Sequence, residues 1–341
     1  MALNHGGRLI EASRRYGIAE DDWLDLSTGI APWSYPVPEV PAHVWARLPE
    51  TDDGLIAAAA GYYHARADAI TALPGSQFAI RELPRAIFAH SGPGRVGVPA
   101  VGYAEHGRAW VMAGHEVVAY DDLPGLSVLV DTLDHAVVIS PNNPTGERAD
   151  IESLCALAGE LDRRNGLLLV DAAFADCNEG LATRTLPANA LVLRSLGKFF
   201  GLAGLRLGFM IGRGRMAVAV AEQLQPWGVS HPARWIGRHA LANRSWQAAQ
   251  QSRIDDAARS LTRLLNRYFS QQAVTPVGLF VSVFFDRDEQ AGRVHTALAE
   301  QAIWTRLGDN GRWLRFGLPG DAPAAARLEA ALNEIARRGL C

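Results

Sequence analysis

Lysine is nearly missing from this sequence. Of 33 basic residues, 32 are arginine, and Lys198 is the one lysine in 341 residues. A guanidinium stays protonated and cannot serve as a neutral amine nucleophile, whereas a lysine amine can. In a chain that uses arginine wherever charge alone matters, Lys198 is a candidate for chemistry before any motif is considered. Cysteine is scarce as well: Cys155, Cys177 and Cys341 lie far apart. No pair has metal-ligand or redox spacing, so neither a metal site nor a disulfide framework is expected. A basic excess is absent, with net charge −3 and a pI near 6.4. That argues against a binder of nucleic acid or of a membrane surface. No stretch reaches the ~20 apolar residues of a membrane span. The opening MALNHGGRLIEASRRYGI lacks the continuous apolar segment of a signal peptide, and a cytoplasmic location is expected.

The length suits a large domain plus a smaller one rather than a single core. Residues 8–17 read as a short amphipathic helix ending at Gly17, followed by a Pro-rich stretch over 32–49. The middle of the chain alternates apolar runs with helical patterns. Strands are expected at 109–111, 116–119, 136–139, 167–170, 190–193 and 207–211, with a helix over 150–165. Such alternation marks an α/β domain with a mainly parallel sheet. Residues 235–272 have a long helical period without proline. Strand-like runs at 279–285 and 313–318 and a closing helix over 322–338 then suggest a smaller α+β domain. The expected division is 45–235 for the large domain, with 1–44 and 236–341 forming the small one.

Three segments carry the chemistry, in a fixed order. SPNNPTG (140–146) follows the apolar run AVVI, LLLVD (167–171) ends in a carboxylate, and SLGKFFGLAGLRLG (195–208) follows ALVLR. Each ends an expected strand, and ligands of open α/β sheets collect beyond such ends. Asn143, Asp171 and Lys198 should therefore converge on one cleft. A lysine amine can condense with an aldehyde cofactor. Pyridoxal 5'-phosphate (PLP) needs a carboxylate at its ring nitrogen, a role for Asp171, and a donor at its phenolic oxygen, a role for Asn143. Its phosphate needs donors and a cation. Ser195 and Arg206 lie three residues before and eight after the lysine. Gly75, Ser76 and Gln77 can open a helix whose N–H groups bind phosphate. Each motif alone has an ordinary explanation as a turn, a cap or a Gly-rich loop; the ordered set is far more specific.

The set resembles the fold-type I PLP family, in the branch that holds histidinol-phosphate aminotransferase and L-threonine-O-3-phosphate decarboxylase. The resemblance spans most of the chain. It implies an aspartate-aminotransferase-like α/β fold, with a mainly parallel seven-stranded sheet in the large domain and a smaller α+β domain. It also implies Tyr103 stacking on the PLP ring, Arg315 binding the substrate's acid group, and a homodimer.

Within that branch, His5-Gly6-Gly7, a short helix, and the LDLSTGIAP segment (24–32) resemble the decarboxylase pattern. Phe174 stands where aminotransferases commonly carry a tyrosine. The resemblance thus implies decarboxylation of L-threonine O-3-phosphate to (R)-1-amino-2-propanol O-2-phosphate, in cobalamin biosynthesis. His5, Gly6, Gly29, Asn143 and Arg315 would bind this phosphorylated amino acid, with Arg8 and Arg327 as further cations. Departures from the pattern are Gly29 and Ala31 in place of Asn, Gly197 in place of Ser or Thr, Ala172 in place of Glu, and Leu48-Pro49 in place of Tyr-Pro. The alternatives are a histidinol-phosphate or related amino-acid aminotransferase, and a non-catalytic descendant used for binding.

Overall fold

The computed structural model describes residues 6–177 and 186–340. Its chain clusters into two units, residues 1–33 with 248–341, and residues 34–247. The first unit opens with α1 (Leu9–Tyr16), which Gly17 ends in the left-handed conformation at φ 68°, as helix C-caps require. The short strand β1 (Leu24–Leu26) follows.

The larger unit runs through α2 (Ala42–Ala46), α3 (Leu55–Tyr62), β2 (Ile70–Leu73), α4 (Gln77–Ser91), β3 (Arg95–Pro99), α5 (Glu105–Ala113), β4 (Glu116–Tyr120), α6 (Leu123–Leu129), β5 (His135–Ile139), α7 (Ile151–Asp162), β6 (Leu167–Asp171), β7 (Ala190–Ser195), β8 (Gly208–Ile211), α8 (Arg215–Glu222) and α9 (His231–Ala242). Seven strands form one sheet in the order β2-β8-β7-β6-β5-β3-β4. Only β8 runs against its neighbours, pairing antiparallel with both β7 and β2. The central strands β5 and β6 are buried at every position. That is why they read as unbroken apolar runs: helices cover both faces of a parallel sheet. The seven-stranded, mainly parallel sheet expected from the sequence is present.

Two expected elements are corrected. Residues 109–111, expected as a strand, lie inside α5, whose buried face is His106, Ala109 and Trp110. That spacing is one stripe of a helix, and Gly114 at φ 97° terminates it. The long helical stretch 235–272 is two helices. Asn243 leaves the helical region at φ −88°, ψ 79°, and its side-chain oxygen accepts from the Trp246 N–H at 3.1 Å. It thereby caps the next helix, α10 (Arg244–Tyr268).

After α10 the chain forms β9 (Ala273–Pro276), β10 (Phe280–Phe284), α11 (Gln290–Ala299), β11 (Ile303–Leu307), β12 (Trp313–Gly317) and α12 (Ala322–Arg337). Their sheet has the order β1-β11-β12-β10-β9. Phe280, Leu314, Phe316, Leu328 and Leu332 are fully buried there. Among the described residues no helix is long and apolar enough to cross a membrane.

Candidate active site

The ends of β5, β6 and β7 lie side by side. Asp171 stands in register with Ile139 on one side and Leu193 on the other. The Ser140 N–H donates to the Asp171 carbonyl at 2.9 Å. The segments that carry Asn143, Asp171 and Lys198 thus leave the sheet at one edge. Asn142 is structural: its side chain donates to the Val101 carbonyl at 2.9 Å and is buried. Asn143, the next residue, is half-buried.

Asp171 is 5% exposed, so its charge depends on partners. The Ala173 N–H donates to Oδ1 at 3.0 Å, and Oδ2 lies 2.9 Å from His106 Nε2. A buried carboxylate accepts, so Nε2 carries the hydrogen. His106 is fully buried, and its Nδ1 has no hydrogen-bond partner. This histidine was not anticipated from the sequence. The available signal was its place three residues after Tyr103 in the opening turn of a helix.

Tyr103 is half-buried, and its hydroxyl donates to Gln77 Oε1 at 3.0 Å. Burial, with the carboxylates of Glu105 and Asp171, pushes its phenol up to about 12, and Arg206 acts in the opposite sense. Tyr103, Asp171, Gln77 and Arg206 therefore share one electrostatic neighbourhood.

A cradle forms at the start of α4. Gly75 has φ 80°, and a Cβ there would lie 2.6 Å from Arg206 Nη2. A Cβ at Gly208 would lie 2.6 Å from the Ser76 amide nitrogen. Both glycines are needed because backbone and guanidinium come this close. Gly208 is in register with Ser195, whose hydroxyl accepts from the Gly197 N–H at 3.2 Å. Gly75, Ser76, Gln77, Ser195 and Arg206 are thus gathered at the N-terminus of a 15-residue helix, where the dipole favours an anion. Lys198 Nζ lies 5.3 Å from the centroid of the Phe174 ring.

The other unit holds its own polar cluster. Ser27 is tied to Asp25 Oδ1 through its N–H at 2.8 Å and its hydroxyl at 2.6 Å. The Gly7 N–H donates to Ser27 Oγ at 2.7 Å. A Cβ on Gly6 would lie 2.4 Å from the Ser27 carbonyl, so the two glycines let the N-terminal segment lie flat on this turn. His5 lies outside the described residues. Gly29 is buried two residues beyond Ser27. Arg315 donates to the Ser27 carbonyl at 2.6 Å and sits over the Phe280 ring at 4.9 Å. Burial, then the charge of Arg306, pulls its pKa down to about 9, while Asp25 raises it. Arg306, unanticipated from the sequence, stands opposite Arg315 in the β11–β12 register. It lines a cavity of about 630 Å³ with Gly6, Arg8, Ser27, His295 and Thr305. Two further expected cations are otherwise engaged. Arg8 pairs with Glu11 at 3.1 Å, and Arg327 donates to the Asp22 and Ala302 carbonyls at 2.7 and 3.1 Å.

Residues 43–328 match the family described as aminotransferase class I and II. A threonine-phosphate decarboxylase of Pseudomonas aeruginosa is 46% identical over 334 residues, 97% of each chain. One from Sinorhizobium sp is 38% identical over 343 residues, covering 97% of this chain and 98% of that protein. The solved histidinol-phosphate aminotransferase of Sinorhizobium meliloti, in complex with PLP, superposes with a TM-score of 0.81 at 20% identity over 99% of both chains. The L-threonine-O-3-phosphate decarboxylase of Porphyromonas gingivalis does so at 0.72 and 20%, over 92% of this chain and 99% of that one. At those identities the solved structures speak for the fold alone. The chain belongs to the class I and II aminotransferase family.

Proposed function

We propose that this protein is a PLP-dependent decarboxylase that converts L-threonine O-3-phosphate to (R)-1-amino-2-propanol O-2-phosphate, a reaction consistent with cobalamin biosynthesis. The observation that carries this reading is end-to-end identity of 46% with a threonine-phosphate decarboxylase, in a chain that retains Lys198, Asp171, Asn143 and Arg206.

The residues present fit the cofactor. The cradle of Gly75, Ser76, Gln77, Ser195 and Arg206 offers amides, hydroxyls and one guanidinium, the donor set a phosphate needs. When bound, PLP supplies an electron-poor ring that stabilises charge left on the amino acid's Cα. Lys198 would hold the cofactor through its ε-amine, and the same amine could carry a proton to Cα. Asp171, whose carboxylate accepts from the Ala173 N–H and lies against His106 Nε2, would hold the proton at the ring nitrogen. Asn143 would donate to the phenolic oxygen. Tyr103, its hydroxyl anchored on Gln77, would cover a ring face. Phe174 brings no hydroxyl to compete at the phenolic oxygen.

The substrate's acidic groups need cations. Arg315 and Arg306 are paired cations whose mutual repulsion an anion relieves, and Gly6 and Gly29 offer backbone where no side chain intervenes. Asn143 also contacts substrate in this reading. His5 is assigned to the substrate phosphate. The protein works as a homodimer in the cytoplasm; Trp45, Leu48 and Trp227 are 66, 61 and 59% exposed, and large apolar side chains in that state mark contact surfaces.

The test is turnover of L-threonine O-3-phosphate by PLP-loaded protein without any keto acid. Release of carbon dioxide together with aminopropanol phosphate is expected. Amino-group transfer that requires 2-oxoglutarate, without carbon dioxide, would overturn the reading in favour of an aminotransferase.

A further inference from the structure

We propose that the buried Asp176–Arg194 ion pair, together with Tyr62, is a positioning device that fixes the Lys198 side chain against the Phe174 ring. The pair joins the two segments that bear the chemistry. Asp176 lies two residues after Phe174 and five after Asp171, and Arg194 lies four residues before Lys198. Arg194 Nη2 donates to Asp176 Oδ1. Their side chains are 4% and 0% exposed, whereas the Arg234–Asp53 pair is 9% and 17% exposed.

Such burial is costly. Replacing a buried pair with apolar side chains is often no less stable, so stability does not explain it. Its surroundings do. The Tyr62 phenol lies close enough to Asp176 for the carboxylate's charge to add to the effect of burial in raising its pKa, and Arg194 lies 4.7 Å over the Tyr63 ring. Tyr62 also packs on Phe200 with centroids 5.5 Å apart, and Phe200 stacks on Trp246 at 5.6 Å and 15°. Lys198 is therefore held from both directions along the chain. Arg194 anchors the strand before it and Phe200 anchors the turn after it; Tyr62 packs on Phe200 and on Tyr63, the ring that lies under Arg194. The same ion pair holds the short turn whose Phe174 ring lies under Nζ. Asp176 and Arg194 act through Lys198 and Phe174 and need not touch substrate.

The inference rests on Lys198 as the cofactor-bearing amine, but its test does not. Because the chain has one lysine, lysine labelled with carbon-13 and nitrogen-15 yields a single ε-methylene resonance from the full-length protein. In cofactor-free protein the Lys198 ε-methylene resonance should be displaced by the Phe174 ring current from the position of an unrestrained lysine. Phe174→Leu sets the zero of that displacement. Asp176→Asn should lose most of it, and Tyr62→Phe, which keeps the ring on Phe200, should lose a smaller part. If the pair serves only to hold the fold, Asp176→Asn lowers the melting temperature and leaves the Lys198 resonance in place; that result overturns the proposal. If Asp176→Asn does not fold, Tyr62→Phe decides alone on the same readout. Persistence of the visible cofactor band in Lys198→Ala would instead refute the role of Lys198, with the NMR result unaffected.

Discussion

Replacing Gly75 with alanine tests the cradle directly. The residue has φ 80°, where a Cβ costs about 1–2 kcal/mol. The new Cβ would lie 2.6 Å from Arg206 Nη2 and 3.2 Å from Cζ. Good contacts sit near ~3.5 Å, so the guanidinium must retreat by about 1 Å. It is the far end of an exposed side chain, held by one hydrogen bond to the Ala203 carbonyl, so the fold survives the shift. A charge-assisted hydrogen bond is worth about 1.5–3 kcal/mol. Losing such a bond to the cofactor phosphate weakens PLP binding roughly 10–100-fold. PLP titration of the cofactor-free protein gives the dissociation constant, and thermal unfolding gives the backbone cost separately. Arg206→Ala should weaken PLP at least as much. The double variant should be no weaker than Arg206→Ala, because both act through one guanidinium. Unchanged PLP affinity in Gly75→Ala, alongside a lowered melting temperature, would refute the reasoning.

Other outcomes follow from the same geometry. Burial holds the His135 imidazole down at about 4, with His115 adding to the effect and Asp134 opposing it; its Nδ1 accepts from the Leu167 N–H at 3.1 Å. Above pH ~6.5 the ring is neutral in both folded and unfolded chains. As the pH falls towards 4 only the unfolded chain gains the proton, so at most about 3 kcal/mol is lost across that window. His135→Asn keeps an acceptor for Leu167 and should flatten the decline of melting temperature between pH 7 and 5. Arg315→Lys should raise KM for the phosphorylated amino acid by about 10–100-fold through loss of the fork geometry, with a smaller change in kcat, read from steady-state kinetics. Trp45→Glu should shift the protein from dimer to monomer in light scattering, since a buried tryptophan carries ~150–250 Å² of contact.

The sequence singles out the residues proposed for the cofactor because they follow strand ends beside sharp local signals. PNNPTG is a turn, Asp171 closes an apolar run, and Lys198 is the one lysine. Residues whose partners come from remote segments were not legible. His106 matters because it meets Asp171, 65 residues away, and Arg306 because of its register against Arg315. The same holds for Asp176 and Arg194, since a buried ion pair leaves no period in the sequence. For the fold, the buried strands β5 and β6 and the buried stretch 190–193 of β7 were plain as apolar runs. Residues 109–111 misled because three apolar residues in a row suit a strand, while the helical stripe became visible only with His106 included. The break at Asn243 was hidden because it interrupts no apolar period and contains neither proline nor glycine; the asparagine acts through a side-chain cap.

The most direct test of the account is to reduce PLP-loaded protein with borohydride, digest it and map the attached cofactor by mass. The account predicts one modified residue, Lys198, in the peptide that carries the SLGKFFGLAGLR segment, with no label in Lys198→Ala. Cofactor fixed to any other residue, or no covalent cofactor while the protein still decarboxylates, would contradict it.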